Sequence, residues 1–322
     1  MKKITLLLSF IACVLMAQAQ SIVSDDFNYT ANTALTANGW VGTGTSPSTT
    51  NPIQVTASTI TYSGYPGSGT GNEVSMMNNG QDVNKSFTAI TSGFIYFSAL
   101  VNFSAAQTGD YFLHIGDAPT GSTFFGRVFA KLNGTQVAVG IVSTSQPAVG
   151  GVSPTPVPTY SSTLCDLNTT YLLVAKVNVS TGESSLIVNP AIGTNEPTTD
   201  QWSVNTWGTS ALPTAGFKTI NLRQGSATTA PTLKLDGIRV STSWAALFTT
   251  TGLSTPSANI LDVKVVGNKL TVSNAQSSTV EIFNALGAKV QSVELVNNSV
   301  ELNLTKGLYI VRLGKQTAKI ML

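Results

Sequence analysis

The chain predicts an all-β protein: a large antiparallel jelly-roll sandwich followed by a small C-terminal β-sandwich. Three observations predict it. Apolar residues alternate with polar ones in many short runs, no run keeps a helical period, and turn residues punctuate the runs at short intervals. Composition agrees: only 10% of the 322 residues are charged, against ~25% in ordinary domains. Hydrophobic residues make up 42%, so the abundant Gly, Ser, Thr and Asn fit neutral turns and outward strand faces better than disorder.

Residues 1–19 carry Lys2-Lys3, the apolar stretch Ile4 to Met16 and Ala17-Gln18-Ala19, the three parts of a cleaved secretory signal peptide. The apolar stretch is too short to span a bilayer comfortably. A rival lipoprotein signal would use Cys13, but it would leave Val14-Leu15-Met16 at the mature start. No later run is long enough for a membrane helix, so the mature chain is expected to have no transmembrane segment. With the signal removed only Cys165 remains, which excludes an internal disulfide and leaves core burial, helped at most by a metal, to stabilise an exported protein.

Residues 20–248 read as the jelly roll. In Gly93 to Phe103 one face holds Ile95, Phe97, Ala99, Val101 and Phe103, and the other holds Tyr96, Ser98 and Leu100, which predicts a central strand covered on both sides. Tyr171 to Val179 predicts a strand with one wet side, Lys176 and Asn178 facing water. Asn133-Gly134 and Thr181-Gly182 predict hairpin turns, and the Pro-rich Val152 to Pro158 a surface loop. Trp40 and Trp244 are expected in the core. Residues 249–259, rich in Thr and Ser, read as a linker to a second domain at 260–322.

That second domain reads as strands Leu261 to Val265, Lys269 to Val272, Thr279 to Asn284, Lys289 to Leu295, Ser299 to Leu304 and Leu308 to Leu313. Its run Val280-Glu281-Ile282-Phe283-Asn284-Ala285-Leu286-Gly287, the segment Gly307-Leu308-Tyr309-Ile310-Val311 and the ending Thr317-Ala318-Lys319-Ile320-Met321-Leu322 resemble the type A C-terminal sorting domain of the Bacteroidetes type IX secretion system. Gly307, Tyr309 and Lys319 carry the motif. The Pro-Asn-Pro that often opens such domains is replaced by Ala258-Asn259-Ile260. The resemblance implies a partner, the outer-membrane type IX translocon, and a product on the cell surface or secreted beyond it. In the large domain, Asp25-Asp26-Phe27, Tyr171 to Val177, Ser185 to Pro190 and Leu235 to Val240 resemble laminin-G or concanavalin-A-like jelly rolls. That likeness implies a glycan or surface-protein ligand, with polysaccharide-degrading enzymes as a minority on the same fold and a structural surface protein as a third reading.

Charge excludes one partner class. Ser21 to Phe248 holds eight basic and eleven acidic residues, and Leu261 to Leu322 seven and four, so neither part offers the basic patch that nucleic acid needs. Catalytic signatures are sparse. His114 is the sole histidine, so a multi-histidine zinc site is impossible. Its strand period places it beside Phe112, where a structural imidazole and a ligand contact both remain open. Gly-x-Ser-x-Gly is absent, and Gly67-Ser68-Gly69-Thr70-Gly71 lacks the lysine of a phosphate cradle. Asp110 and Asp117 bracket the histidine strand at ~23 Å if it is straight, too far apart to act as a catalytic carboxylate pair. Trp202, Trp207, Tyr62 and Tyr65 are the candidates for stacking on sugar rings, with Asp117 and Arg127 as polar partners. No organic cofactor is implied. A structural calcium ion could be held by Asp25, Asp26 and Asp236 if the first and last strands adjoin, with the shift in apolar phase across Asp236-Gly237 predicting a β-bulge; the alternative is that these acids cap turns and solvate an edge.

Overall fold

The computed structural model describes residues 21–120, 124–249, 263–273, 279–284, 287–314 and 316–322. The expected signal peptide, the linker beyond Thr249 and the residues just before Val263 lie outside the described residues. The chain divides between Thr251 and Gly252 into two compact units.

The first unit is an antiparallel sandwich. Its strands are β1 (Val23–Asp25), β2 (Val41–Gly42), β3 (Gln54–Thr56), β4 (Glu73–Met76), β5 (Val83–Ile90), β6 (Phe94–Ala105), β7 (Asp110–Gly116) and β8 (Phe124–Asn133). They continue with β9 (Gln136–Val142), β10 (Thr159–Asp166), β11 (Thr170–Asn178), β12 (Ser184–Val188), β13 (Ser203–Asn205), β14 (Phe217–Leu222) and β15 (Thr232–Ser241), followed by the single helical turn α1 (Trp244–Leu247). One sheet runs β13-β12-β11-β6-β15-β4-β3, with β1 also paired to β15; the other runs β10-β9-β8-β7-β14-β5-β2.

Alternation explains the core between them. Ile95, Phe97, Ala99, Val101 and Phe103 of β6 meet Phe112, Phe125 and Phe217 from the facing sheet. Burying a side chain of this size contributes about 1.5–3 kcal/mol. As expected, β6 is central, between β11 and β15, and Trp40 and Trp244 are buried. The phase change at Asp236-Gly237 is a bulge: the register with β6 slips between Asp236 and Arg239, and Gly237 has φ +60°.

Two local expectations need correction. The β8–β9 hairpin forms, but Asn133 pairs with Gln136, so the loop is Gly134-Thr135 with Gly134 at φ +65°. Glycine at the first loop position with positive φ suits a type II′ turn, whose hand matches strand twist. Strand β11 is wet at only one end. Leu172 and Val174 on its outer face are buried in a second apolar cluster with Tyr65, Tyr96, Leu100, Trp202 and Trp244.

The second unit has strands β16 (Val263–Val266), β17 (Lys269–Val272), β18 (Thr279–Asn284), β19 (Lys289–Glu294), β20 (Ser299–Glu301), β21 (Leu308–Leu313) and β22 (Gln316–Met321). They form sheets β16-β17-β20 and β19-β18-β21-β22 around Leu270, Val272, Val280, Ile282, Val311 and Leu313. Six strands fall where the alternation places them. The seventh, β22, lies in the ending read above as a motif; it pairs with β21 along its whole length. Among the described residues no helix is long and apolar enough to cross a membrane.

Candidate functional site

The outer face of the seven-stranded sheet gathers Tyr111, His114, Phe124, Arg127 and Phe129, and two irregularities put them there. In β7, Phe112 and Leu113 are both core residues, and the register with β8 slips between Tyr111 and Leu113. That slip inverts the alternation, so Tyr111 and His114, three apart, share the outer side. Phe112 points into the core, which overturns the expectation that it shares a face with His114. A second slip falls between Leu113 and Ile115 on β7, opposite Val128 and Phe125. It is absorbed at Gly126, φ +58°, where a Cβ would stand 2.6 Å from Val177. As a result Phe124 and Arg127 both face outward, while Phe125 and Val128 stay in the core.

The Tyr111 ring is the hub. Its centroid lies 5.3 Å from His114, 6.1 Å from Phe124 and 5.5 Å from Phe129. The guanidinium carbons of Arg223 and Arg127 stand 4.3 Å and 5.3 Å from it, within cation–π range. His114 packs edge-on against Phe124 at 4.9 Å. Arg223 is neutralised by Asp110, with Nη1 to Oδ2 at 2.8 Å. Arg127 is not neutralised: its Nη2 donates to the Thr144 carbonyl at 2.6 Å, and its buried Nε has no acceptor.

Polar satisfaction fails here. His114 is 3% exposed and Arg127 5%, yet both imidazole nitrogens lack a partner, as do the buried Thr144 Oγ1 and Asn84 Oδ1. Asn84 lies opposite Asn221, and Asn221 opposite His114, so these groups form one row across the sheet. Buried polar groups without partners are uncommon and mark places where water or ligand belongs. Burial, then the nearby Arg127 and Arg223 charges, pull the His114 pKa down to about 3, so the ring is neutral at ordinary pH and presents one donor and one acceptor. Burial also raises the Tyr111 pKa and lowers that of Arg127.

The other predicted residues scatter. Asp117 follows β7 directly, and its Oδ1 is buried without a partner. Trp207 borders the Arg127 end, since its carbonyl accepts from the Thr144 amide at 3.1 Å. Tyr62, Tyr65 and Trp202 lie instead on the outer face of the eight-stranded sheet. Tyr65 is 3% exposed and donates to the Gly237 carbonyl at 2.6 Å; Trp202 is 7% exposed and donates from Nε1 to the Pro197 carbonyl at 3.3 Å. Trp202 also borders a 380 Å³ pocket with Ser161, Thr163, Asn189, Asn195 and Asp200. The stretch 200–208 is thus no simple polar loop: Trp202 is packed, and Ser203–Asn205 forms β13.

The three acids read as a calcium set are not gathered into one cage. Strands β1 and β15 do pair, but Asp25 Oδ2 accepts from Tyr29, Trp40 and Lys85. Asp26 pairs with Arg239 at 2.5 Å. Asp236 accepts from the Gly237 amide and the Thr59 hydroxyl, and burial pushes its pKa up to about 7. Among the described residues no three His, Cys, Asp or Glu side chains could hold a metal together.

Sequence reasoning missed Tyr111, Phe124, Asn221 and Arg223. A signal for the first was present: in Tyr111-Phe112-Leu113-His114-Ile115 the adjacent Phe112 and Leu113 break the alternation.

In the second unit Tyr309 is buried, its hydroxyl donating to the Thr305 carbonyl at 2.9 Å. Gly307 and Leu322 exchange backbone hydrogen bonds of 3.2 Å and 3.0 Å, and Lys319 is exposed on β22. The molecule is thus an all-β protein of two units, a large jelly-roll sandwich and a small terminal sandwich. Residues 256–321 match the family model of the secretion system C-terminal sorting domain. That match implies export through type IX secretion, to the cell surface or beyond, and contact with its machinery. The search among curated proteins found no match. Among solved structures the chain is similar to domain 4 of AbnA, an extracellular arabinanase of Geobacillus stearothermophilus, at 10% identity and TM-score 0.42, over 72% of this chain and 99% of that one. It is similar also to a module of a Lactobacillus casei phage Dit protein, at 10% identity and TM-score 0.38, over 70% and 96%. A sialidase is matched at 11% identity and TM-score 0.40, over 69% of this chain and 18% of the sialidase.

Proposed function

We propose that the large unit is a laminin-G-like module that binds glycan on the outer face of its seven-stranded sheet, delivered to the cell surface by the terminal sorting domain. The observation that carries this reading is the half-buried aromatic rim of Tyr111 and Phe124 over His114 and Arg127, where both imidazole nitrogens and the guanidinium Nε lack partners. A sugar ring offers an apolar CH face to such a rim and hydroxyls to the unpaired atoms beneath it, the mixture that small-ligand sites usually present. A glycan-array screen of the purified chain tests it. Binding that weakens in Tyr111→Ala supports the reading, and no binding to any glycan rejects it in favour of a protein partner or a structural role.

A second reading is a polysaccharide-degrading enzyme. His114, Arg127 and a tyrosine meet at one place, and the neutral imidazole has a nitrogen without a partner, although its lowered pKa makes it a weak base. Mass spectrometry after incubation with each bound polysaccharide decides between the two, since fragments would establish cleavage. Delivery has its own test: deleting Leu261 to Leu322 is expected to trap the protein in the periplasm, and undiminished surface display would reject the sorting role.

A further inference from the structure

We propose that the ligand carries an oxyanion, a carboxylate or sulfate on a sugar, that pairs with Arg127; this rests on the glycan reading of the same site. Most cations of the large unit are paired with a carboxylate. Lys85, Lys176, Arg223, Lys234 and Arg239 each have a carboxylate oxygen 2.5–2.8 Å away. The remaining lysines, Lys131 and Lys218, are half-exposed, where water screens the charge. Arg127 alone among the described residues of this unit is a buried cation without an ion pair. Asp110, the carboxylate whose charge acts on Arg127, is already taken by Arg223.

A buried guanidinium with one carbonyl partner is costly, because desolvation is offset only by a counter-charge or a full set of acceptors. Water could satisfy His114 or Asn84, but it supplies no charge. An oxyanion does. Arg127 uses only Nη2, toward Thr144, so Nε remains for one half of a two-pronged pair with a planar carboxylate or a sulfate. Beside it stand the donor and acceptor of the neutral His114. They suit the hydroxyls that flank such a substituent on a sugar ring. The aromatic rim of Tyr111 and Phe124 then covers the ring's apolar face.

The test titrates the full purified chain by calorimetry with a polyuronate, the same polyuronate after methyl esterification, a sulfated polysaccharide and an uncharged glucan. The proposal expects one or both charged polymers to bind, and esterification to weaken the polyuronate by roughly tenfold or more, since a charge-assisted pair is lost. The two charged arms distinguish carboxylate from sulfate. Arg127→Gln is expected to remove the preference for charge. Because that variant could fail to fold, the esterified polymer makes the same test on the unaltered protein. Equal affinity for the uncharged or esterified polymer overturns the oxyanion and leaves the glycan reading standing; no binding to any of the four overturns both.

Discussion

The two outer faces of the sandwich are both rich in aromatics, yet they treat their polar groups differently. On the eight-stranded sheet, Tyr65, Tyr96, Trp202 and Trp244 pack beneath the loops, and each places its polar atom on a partner: Gly237, Glu196, Pro197 and Gly193 in turn. Lys176 closes that cluster by pairing with Glu196 at 2.6 Å while lying 4.7 Å from the Trp202 ring. On the seven-stranded sheet, Tyr111 and Phe124 stay half-buried, and below them both nitrogens of His114 and the Nε of Arg127 have no partner. Aromatic content therefore does not separate the two faces; the polar atoms at the two aromatic clusters do, although Glu73 Oε2 on β4 also lacks a partner.

The contrast can be broken most directly on the covered face. Trp244→Ala is expected to cost about 3–5 kcal/mol by urea unfolding, with glycan affinity of the folded fraction unchanged; lost affinity would join the two faces in one function. On the open face the sharper probe is pH. The folded His114 pKa lies at about 3, below the usual 6.5, so the unfolded chain binds more protons between those values. Stability present at neutral pH is therefore lost as pH falls below 6.5, by roughly 1 kcal/mol per pH unit from this group. In His114→Leu the urea midpoint is expected to lose that slope; an unchanged slope would assign it to other groups.

Next in size is Arg127→Met, which should weaken ligand by about tenfold while changing stability by less than ~1 kcal/mol, because apolar groups often replace a buried charge at little cost. Global unfolding of this variant would make Arg127 a structural group like Arg239. The smallest effect returns to the covered face with the opposite sign. The Asp236 carboxyl titrates at about 7 instead of 3.8, so its stabilising protonated form is lost as pH rises through 7. Asp236→Asn is expected to gain on the order of 1 kcal/mol at pH 8, read from the thermal midpoint, and little at pH 4.

Alternation and turn chemistry made much of the fold legible. They placed β6 at the centre, found six of the seven terminal strands, and located the bulge after Asp236. They failed where alternation itself breaks. The slips at Tyr111–Leu113 and at Gly126 decide which side chains reach the open face, and each depends on how two strands shear past one another. Beyond the adjacent Phe112 and Leu113 of β7, a single strand's sequence does not contain that shear. Trp202 misled for a related reason: its polar neighbours suggested a loop in water, whereas Lys176, Trp244 and Pro197 enclose it from distant parts of the chain.

The pairing of β1 with β15 sets the order in which the large unit can be completed. Val23 lies against Val240 and Asp25 against Ile238, so the first strand has no seat until the last one has been synthesised. Closing so long a loop is entropically slow, and topologies dominated by such contacts fold late. A nascent chain of this protein therefore stays unfinished through nearly the whole of the domain's translation, and it must be kept from aggregation until its final strand arrives.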